Sequence, residues 1–375
     1  MSSPALAPPP EVFQGAYTYA SRVDSWLGSR WLGRIPVAGG SVSWTASQQV
    51  QGALSLTVPR TGAAEETEDE RDWTPIDAES PLACCGQILH VSITVTSLIT
   101  ERTWTLPAGR FLITATDIAG DRVTVTGKSL LHRLEEDRFV SPMVPRSGGT
   151  LASEARRVLN GYAGLVIHRD LADRRCPSSM TWGESRIDAL YEIADAWPAR
   201  LREGRDGLIH LLPPLEDLST APPRVLTDGE NGTVIGVKRT ATRDKIYNRV
   251  VARSQSTGEN GQPTFQAVAD QSTGPLRTGG PYGVVTRFFS SPLITSYSGA
   301  LSTARSLLAT SVRGQSTIPI DLAPDPTIGL DDAVTIRSQD AAAAAPLETW
   351  GRISAVDLPL TYAGTARVDV EVTRR

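Results

Sequence analysis

Hydrophobic and polar residues alternate through much of the first third of this chain. Between Gly40 and Pro59 the apolar positions are Val42, Trp44, Leu54, Leu56 and Val58, with polar residues between them. That period of two predicts half-buried strands. The pattern resumes at Val91, Ile93 and Val95, then Trp104 and Leu106, Phe111 and Ile113, and Val123 and Val125. Turn residues, Pro107-Ala108-Gly109 and Gly120-Asp121, separate these runs. Several short antiparallel strands at such spacing predict a sandwich or barrel, fully closed or with an edge left for assembly.

The period changes after Pro142 and Pro145. Thr150 is placed to cap a helix with Leu151, Ala155, Val158, Leu159 and Tyr162 on its apolar face, ending near Gly161 to Gly164. Ser185, with Asp188 three residues on, opens a second helix whose face is Ile187, Leu190, Tyr191, Ala194 and Trp197; Pro198 stops it. A hairpin follows, Arg200 to Arg202 and Leu208 to Leu212 about an Asp206-Gly207 turn. Strand signals return at Ile246 to Arg253. Ser298 then precedes a helix carrying Leu301, Ala304, Leu307, Leu308 and Val312. Further strands are predicted at Ile318 to Leu322, Ala333 to Ile336, Ile353 to Leu358 and Val368 to Val372. The five alanines within Asp340 to Pro346 fit a helical turn or a loop equally well.

The chain therefore divides into four parts: a Pro-rich arm that is neither helical nor necessarily ordered (1–14), a strand-rich block (15–140), a small α/β block (141–233) and a second strand-rich block with one helix (234–375). The length of 375 residues agrees, being more than one core usually holds. A hydrophobic share of 40% excludes disorder, and a net charge of −4 argues against sequence-specific nucleic-acid binding. No apolar run approaches the ~20 residues of a membrane span, so no membrane anchor is expected. The opening Met1 to Pro10 lacks the charged and apolar regions of a signal peptide, which predicts synthesis in a cytoplasm.

Candidate chemistry is sparse. Cys84 and Cys85 are adjacent and Cys176 stands alone; small buried residues at the end of a loop are the expectation, not a redox site. The four histidines are scattered singly, without metal-ligand spacing, so neither a metal nor a cofactor is expected. Thr61 to Asp72 carries six acidic residues (Glu65, Glu66, Glu68, Asp69, Glu70, Asp72) and little to bury. It predicts an exposed loop facing solvent, a lumen or a neighbouring subunit, and a solvated loop cannot separate the pKa values of a catalytic pair. No Gly-x-Ser-x-Gly or phosphate-loop motif is present, and Ser147-Gly148-Gly149-Thr150 reads as a helix start. His168 with Asp170 and Asp173 reads as a strand end entering a turn. Arg169, Arg174, Arg175 and Arg186 lack interleaved aromatics and read as a solvated or interface face. Trp26 and Trp31, with Arg22, Arg30 and Arg34, form the best candidate for a protein interface, because Trp and Arg are enriched there. No catalytic constellation emerges, and the chain is not expected to be an enzyme.

Several short elements together resemble a known family. Asn248-Arg249-Val250-Val251, a strand-like Val284 to Phe289, the helix at Ala300 to Val312, the proline-containing Ile318 to Leu322 and the Gly329-Leu330-Asp331-Asp332-Ala333-Val334 turn follow the order of tailed-phage tail hub proteins. These are akin to the baseplate hub of contractile tails and the late control D proteins. That family's turn usually reads Leu-x-x-Gly-Asp-x-Val; here the glycine comes earlier. The amino-terminal half resembles minor tail proteins of actinobacterial phages, through Ser80 to Gly86 (Ser-Pro-Leu-Ala-x-x-Gly) and Pro107 to Ile113 (Pro-x-Gly-x-Phe-x-Ile).

The resemblance implies a mainly β protein with an α+β insert: two β-barrel-like domains flanking a small α/β domain. It further implies a structural virion protein at the tail tip, a homotrimer whose paired barrels join a six-fold tail tube or distal tail ring to three-fold tip components. Its partners would be itself, the distal tail protein or tail tube, the tape-measure protein and tail-tip or fibre proteins. DNA would pass its channel without sequence recognition, and an acidic chain suits that passage. Two alternatives stand beside this reading: a cell-wall-degrading tail-tip enzyme, and a receptor- or carbohydrate-binding tail module with Trp26 and Trp31 as its contacts.

Overall fold

The alternating runs do form strands, and most of them join a single ladder. A computed structural model describes residues 7–64, 69–178, 180–215, 223–238, 246–254, 262–291, 294, 296–312, 315–339 and 347–373. After a short 3-10 turn at Pro10–Gln14, the first block forms β1 (Tyr17–Leu27), β2 (Arg30–Ile35), β3 (Gly39–Thr45), β4 (Gly52–Pro59), β5 (Thr61–Gly62), β6 (Arg71–Asp72), β7 (Gln87–Ser97), β8 (Thr103–Ala119) and β9 (Arg122–Ser129). The middle block forms α1 (His132–Glu136), α2 (Leu151–Leu159), β10 (Leu165–Ile167), α3 (Arg186–Ala196), β11 (Arg200–Glu203) and β12 (Ile209–Leu212). Then come β13 (Arg224–Thr227), β14 (Val234–Val237), β15 (Arg249–Ser254), β16 (Gln266–Asp270), β17 (Thr286–Ser291) and α4 (Tyr297–Val312). The last strands are β18 (Gln315–Leu322), β19 (Ala333–Ser338), β20 (Leu347–Pro359) and β21 (Ala366–Thr373).

Two compact units result. Unit 1 is Met1–Val237 with Pro319–Val370, and unit 2 is Lys238–Ile318 with Glu371–Arg375. Unit 1 is built on a 13-stranded sheet ordered β14-β18-β21-β20-β3-β4-β9-β8-β7-β1-β2, with β19 beside β20 and β13 beside β19. The ladder begins at β14 and ends at β2, so no closed barrel forms. Of the two expected outcomes, full closure or an edge left for assembly, the open sheet is the one that forms. The physical reason lies where β3 and β20 pair antiparallel, with Val42 opposite Leu358 and Trp44 opposite Val356. All four side chains are buried. Two strand edges that would each have needed closure satisfy one another, and their inward faces share one core.

The sequence pattern missed β1 and β2. The buried positions of β1 are Tyr17, Tyr19, Val23 and Ser25, and three of them carry hydroxyls that mask the apolar alternation. Each hydroxyl donates to a backbone carbonyl: Tyr17 to Pro324 (3.0 Å), Tyr19 to Pro359 (2.7 Å) and Ser25 to Pro81 (2.6 Å). Burying these groups is tolerable only because each is paired. The Pro-rich arm also differs from expectation. Pro10 occupies the start of the 3-10 turn, where no N–H is required, and Val12 and Phe13 are buried.

The small α/β block folds as its caps predict. Thr150 Oγ1 accepts from the Ser153 N–H (3.2 Å) while Ser153 Oγ accepts from the Thr150 N–H (2.9 Å). Ser185 Oγ accepts from the Asp188 N–H (3.2 Å). Asn160, at φ +51°, supplies the left-handed residue that ends α2, ahead of Gly161. Leu151, Val158, Ile187, Leu190, Ile193 and Trp182 fill a core between α2, α3 and the β10-β12-β11 sheet. In unit 2, β15 pairs antiparallel with β16 and parallel with β17, and α4 covers one face through Ala300, Ala304 and Leu308. The alanine run at 340–346 lies outside the described residues.

Candidate functional site

The candidate interface residues come together at the free end of the ladder. β1 and β2 pair antiparallel with Trp26 opposite Trp31 and Asp24 opposite Arg34. Asp24 organises the cluster. Its carboxylate accepts from Arg22 Nε (2.7 Å) and Trp31 Nε1 (3.3 Å), and Arg34 Nε lies 3.6 Å away. Arg30 pairs with Glu79 at 2.9 Å. The Trp26 ring stacks on His90, with centroids 5.5 Å apart and planes 23° from parallel. Burial holds the His90 imidazole below its usual pKa, Arg110 acts in the same sense and Asp24 opposes both. Trp31, at 50% exposure, is the large ring this edge presents to solvent.

The acidic loop leaves the same region. β5 and β6 close it with two residue pairs, Thr61 with Asp72 and Gly62 with Arg71. The Arg71 guanidinium lies 3.6 Å over the Trp73 ring, whose Nε1 donates to the Gly62 carbonyl (2.9 Å). Asp69 and Glu70 are exposed, as expected; Glu65, Glu66 and Glu68 lie outside the described residues.

A second cluster was invisible in the sequence. The hairpin β11–β12 grips the Gly329–Asp332 turn across a cleft of about 650 Å³. Asp331 accepts from Arg202 Nε (2.8 Å) and Nη2 (3.1 Å) and is also ion-paired to Arg200. Arg352 Nη1 donates to the Asp331 carbonyl (3.0 Å), and Arg205 donates to the carbonyls of Pro326 (2.5 Å) and Ile328 (2.6 Å). Asp331 has φ +68°, a left-handed conformation that glycine adopts without cost. From this conformation its carboxylate holds both Arg200 and Arg202.

Glu203, at the end of β11, is buried. Its Oε1 accepts from the Leu130 N–H (2.6 Å), while Oε2 is buried without a hydrogen-bond partner. Burial pushes its carboxyl up to about 7, against donors from Ser129, Leu130 and Leu131 that favour the ionised form. Below pH 4.5 the carboxyl is protonated folded and unfolded alike. As pH rises from there through 7, only the unfolded chain ionises freely, so stability falls by about 3 kcal/mol. Glu203→Gln is expected to remove that component. The difference in unfolding free energy between variant and parent should shift by about 3 kcal/mol between pH 4.5 and pH 8, measured by urea titration. A pH-independent difference would show that the Glu203 carboxyl is ionised when folded.

Other sequence candidates do not assemble. Cys84 and Cys85 are both exposed, correcting the expectation of burial; they occupy the turn that feeds β7, while Cys176 is buried. His168 lies 3.4 Å from Asp170, at the end of β10. Arg174 donates to the Ala196 carbonyl and Arg186 pairs with Asp137 (2.8 Å), so these arginines serve local joints. Among the described residues no group of three His, Cys, Asp or Glu could hold a metal ion, and no helix is long and apolar enough to cross a membrane.

No family model and no curated protein sequence matches the chain. Solved structures do. A tail protein from Neisseria meningitidis MC58 aligns over 96% of both chains at TM-score 0.59 and 12% identity. The 43 kDa tail protein of prophage MuSo2 from Shewanella oneidensis aligns over 94% of this chain and 98% of its own, at TM-score 0.56 and 11% identity. Prophage tail protein gp18 from Listeria monocytogenes EGD-e aligns over 95% of each chain at TM-score 0.50 and 8% identity. The fold of this chain is one that phage tail proteins share from end to end.

Proposed function

We propose that the chain is a structural component of a phage-type tail, the hub at its distal end. One observation carries the reading: the likeness to the Neisseria and Shewanella tail proteins spans almost the whole of both chains, not one domain of each. In this reading three copies form a ring that joins the tail tube or distal tail ring to the tail tip and surrounds the exit channel. Among the described residues β2, β14 and β13 each pair on one side only, and heterologous ring contacts can form on such strand edges. Tape-measure and fibre proteins are the further partners, and Asp69 and Glu70 belong to a loop at a joint or the lumen. Purified tails settle it. Mass spectrometry should find this chain in them, and a map of the tail tip should place three copies at the distal end. Absence from purified tails, or a position along the tube, overturns the proposal.

Trp31, Arg30, Arg34 and Trp26 are the proposed contact with a neighbouring tail protein. Trp31→Ala should leave the chain folded at a cost of about 1 to 2 kcal/mol, for the buried half of the ring and its bond to Asp24. Its incorporation into tails should nevertheless fall at least tenfold, as for an interface anchor. Normal incorporation of a folded Trp31→Ala chain would remove this edge from the interface.

A further inference from the structure

The two compact units divide the charge of the chain very unevenly. Lys238–Ile318 contains ten Lys and Arg against three Asp and Glu, a formal +7, and Glu371–Arg375 adds one more. Unit 1 therefore stands at −12 within a chain whose total is −4. The average conceals a basic module. Eight of the ten cations in Lys238–Ile318 are arginines, whose planar fork fits phosphate oxygens in pairs.

The fold of unit 2 leaves one sheet face uncovered by its helix. Val250 and Ala252 of β15 point toward α4, so Arg249, Val251 and Arg253 lie on the opposite face. The register sets Val268 on one side of Val251 and Phe288 on the other. Phe288 is 61% exposed, with the Arg253 guanidinium 5.2 Å from its ring centroid and donating to Ser290 Oγ (2.9 Å). Asp270 neutralises Arg249 through two bonds of 2.6 and 2.7 Å, which leaves Arg253 as the cation beside the ring. Val251 between them is itself buried, but the exposed Phe288 ring beside the Arg253 guanidinium, on the sheet face away from α4 and within a surplus of positive charge, suits an unstacked base and its phosphate.

We propose that unit 2 binds DNA through the phosphate backbone, without reading sequence, and that Arg253 and Phe288 form the centre of the contact. Arginine predominance and the exposed ring favour nucleic acid over an acidic protein segment, which needs no stacking surface. The charge of unit 1 repels the same polyanion and confines the contact to unit 2. The proposal is independent of the tail role: a chain absent from tails could still bind DNA, and a tail hub could fail to.

The test uses the full chain and a labelled single-stranded oligonucleotide of about 30 nucleotides, followed by fluorescence anisotropy. Binding should weaken steeply between roughly 50 and 200 mM NaCl, linearly in the logarithms. Arg253→Ala should lower that slope by about 0.7, and Phe288→Ala should weaken binding about tenfold at fixed salt. Arg122→Ala, an exposed cation of unit 1, should change neither. Thermal melts of both unit 2 variants should match the parent, since the side chains are on the surface. Failure to bind at about 50 mM salt overturns the proposal, as does parental binding by both variants. Polyglutamate binding as tightly as the oligonucleotide would also overturn it, assigning the face to an acidic protein partner.

Discussion

Asp331→Ala is expected to destabilise unit 1 by about 3 to 4 kcal/mol, measured by urea unfolding, because it leaves Arg200 and Arg202 partly buried without their carboxylate. Side-chain exposures of 15 to 23% across the three residues keep the effect below that of a fully buried pair. Alanine also retains the cost of φ +68°. Asp331→Gly loses the same ion pairs but not the conformation, so it should be about 1 kcal/mol more stable than Asp331→Ala. Equal stability of the two variants would show that the backbone there is unstrained. Parental stability of both would reduce the whole clamp to a surface contact. The small α/β block is joined to the sheet by this turn, so the variants should also make the β11–β12 hairpin more accessible to protease.

Trp44→Ala should cost about 4 kcal/mol, the usual range for deleting a large buried ring. Trp44 is 2% exposed, and its Nε1 donates to the Ala108 carbonyl at 3.1 Å. Two glycines make room for the ring: a Cβ on Gly52 would come within 2.8 Å of it and one on Gly109 within 2.9 Å. Gly109 also has φ +152°. The residue sits where β3 meets β20, so its removal should loosen the seam between the first and last strand-rich blocks. Hydrogen exchange should then rise in β3 and β20 together. A rise confined to β3 and β4 would mean that the two blocks fold separately, contrary to their shared ladder.

Much of the fold is legible in the sequence. Helix α2 begins at Thr150 and α3 follows Ser185, because a cap is a local hydrogen bond written in adjacent residues. Strands β4, β7 and β9 follow the apolar alternation, since a sheet with one buried face imposes that period. The tail-protein fold was legible as an order of short elements. Strand β1 was not, because its inward Tyr and Ser hydroxyls look polar until their carbonyl partners, far along the chain, are known.

The candidate sites divide in the same way. Trp26, Trp31, Arg30 and Arg34 were identifiable by type and proximity, and the structure brings them to one edge. The pairing of β3 with β20 unites residues more than 300 positions apart, and no local pattern encodes that choice. The Asp331 clamp likewise needs arginines from another block, and Glu203 is perturbed because the fold buries it. The basic character of unit 2 was present in the sequence throughout. Only the division into compact units showed that a chain of net charge −4 holds a module of the opposite sign. Local hydrogen bonds and periodicity were thus fixed by the order of residues. Sheet partners, burial of polar groups and the segregation of charge were decided by contacts between distant segments.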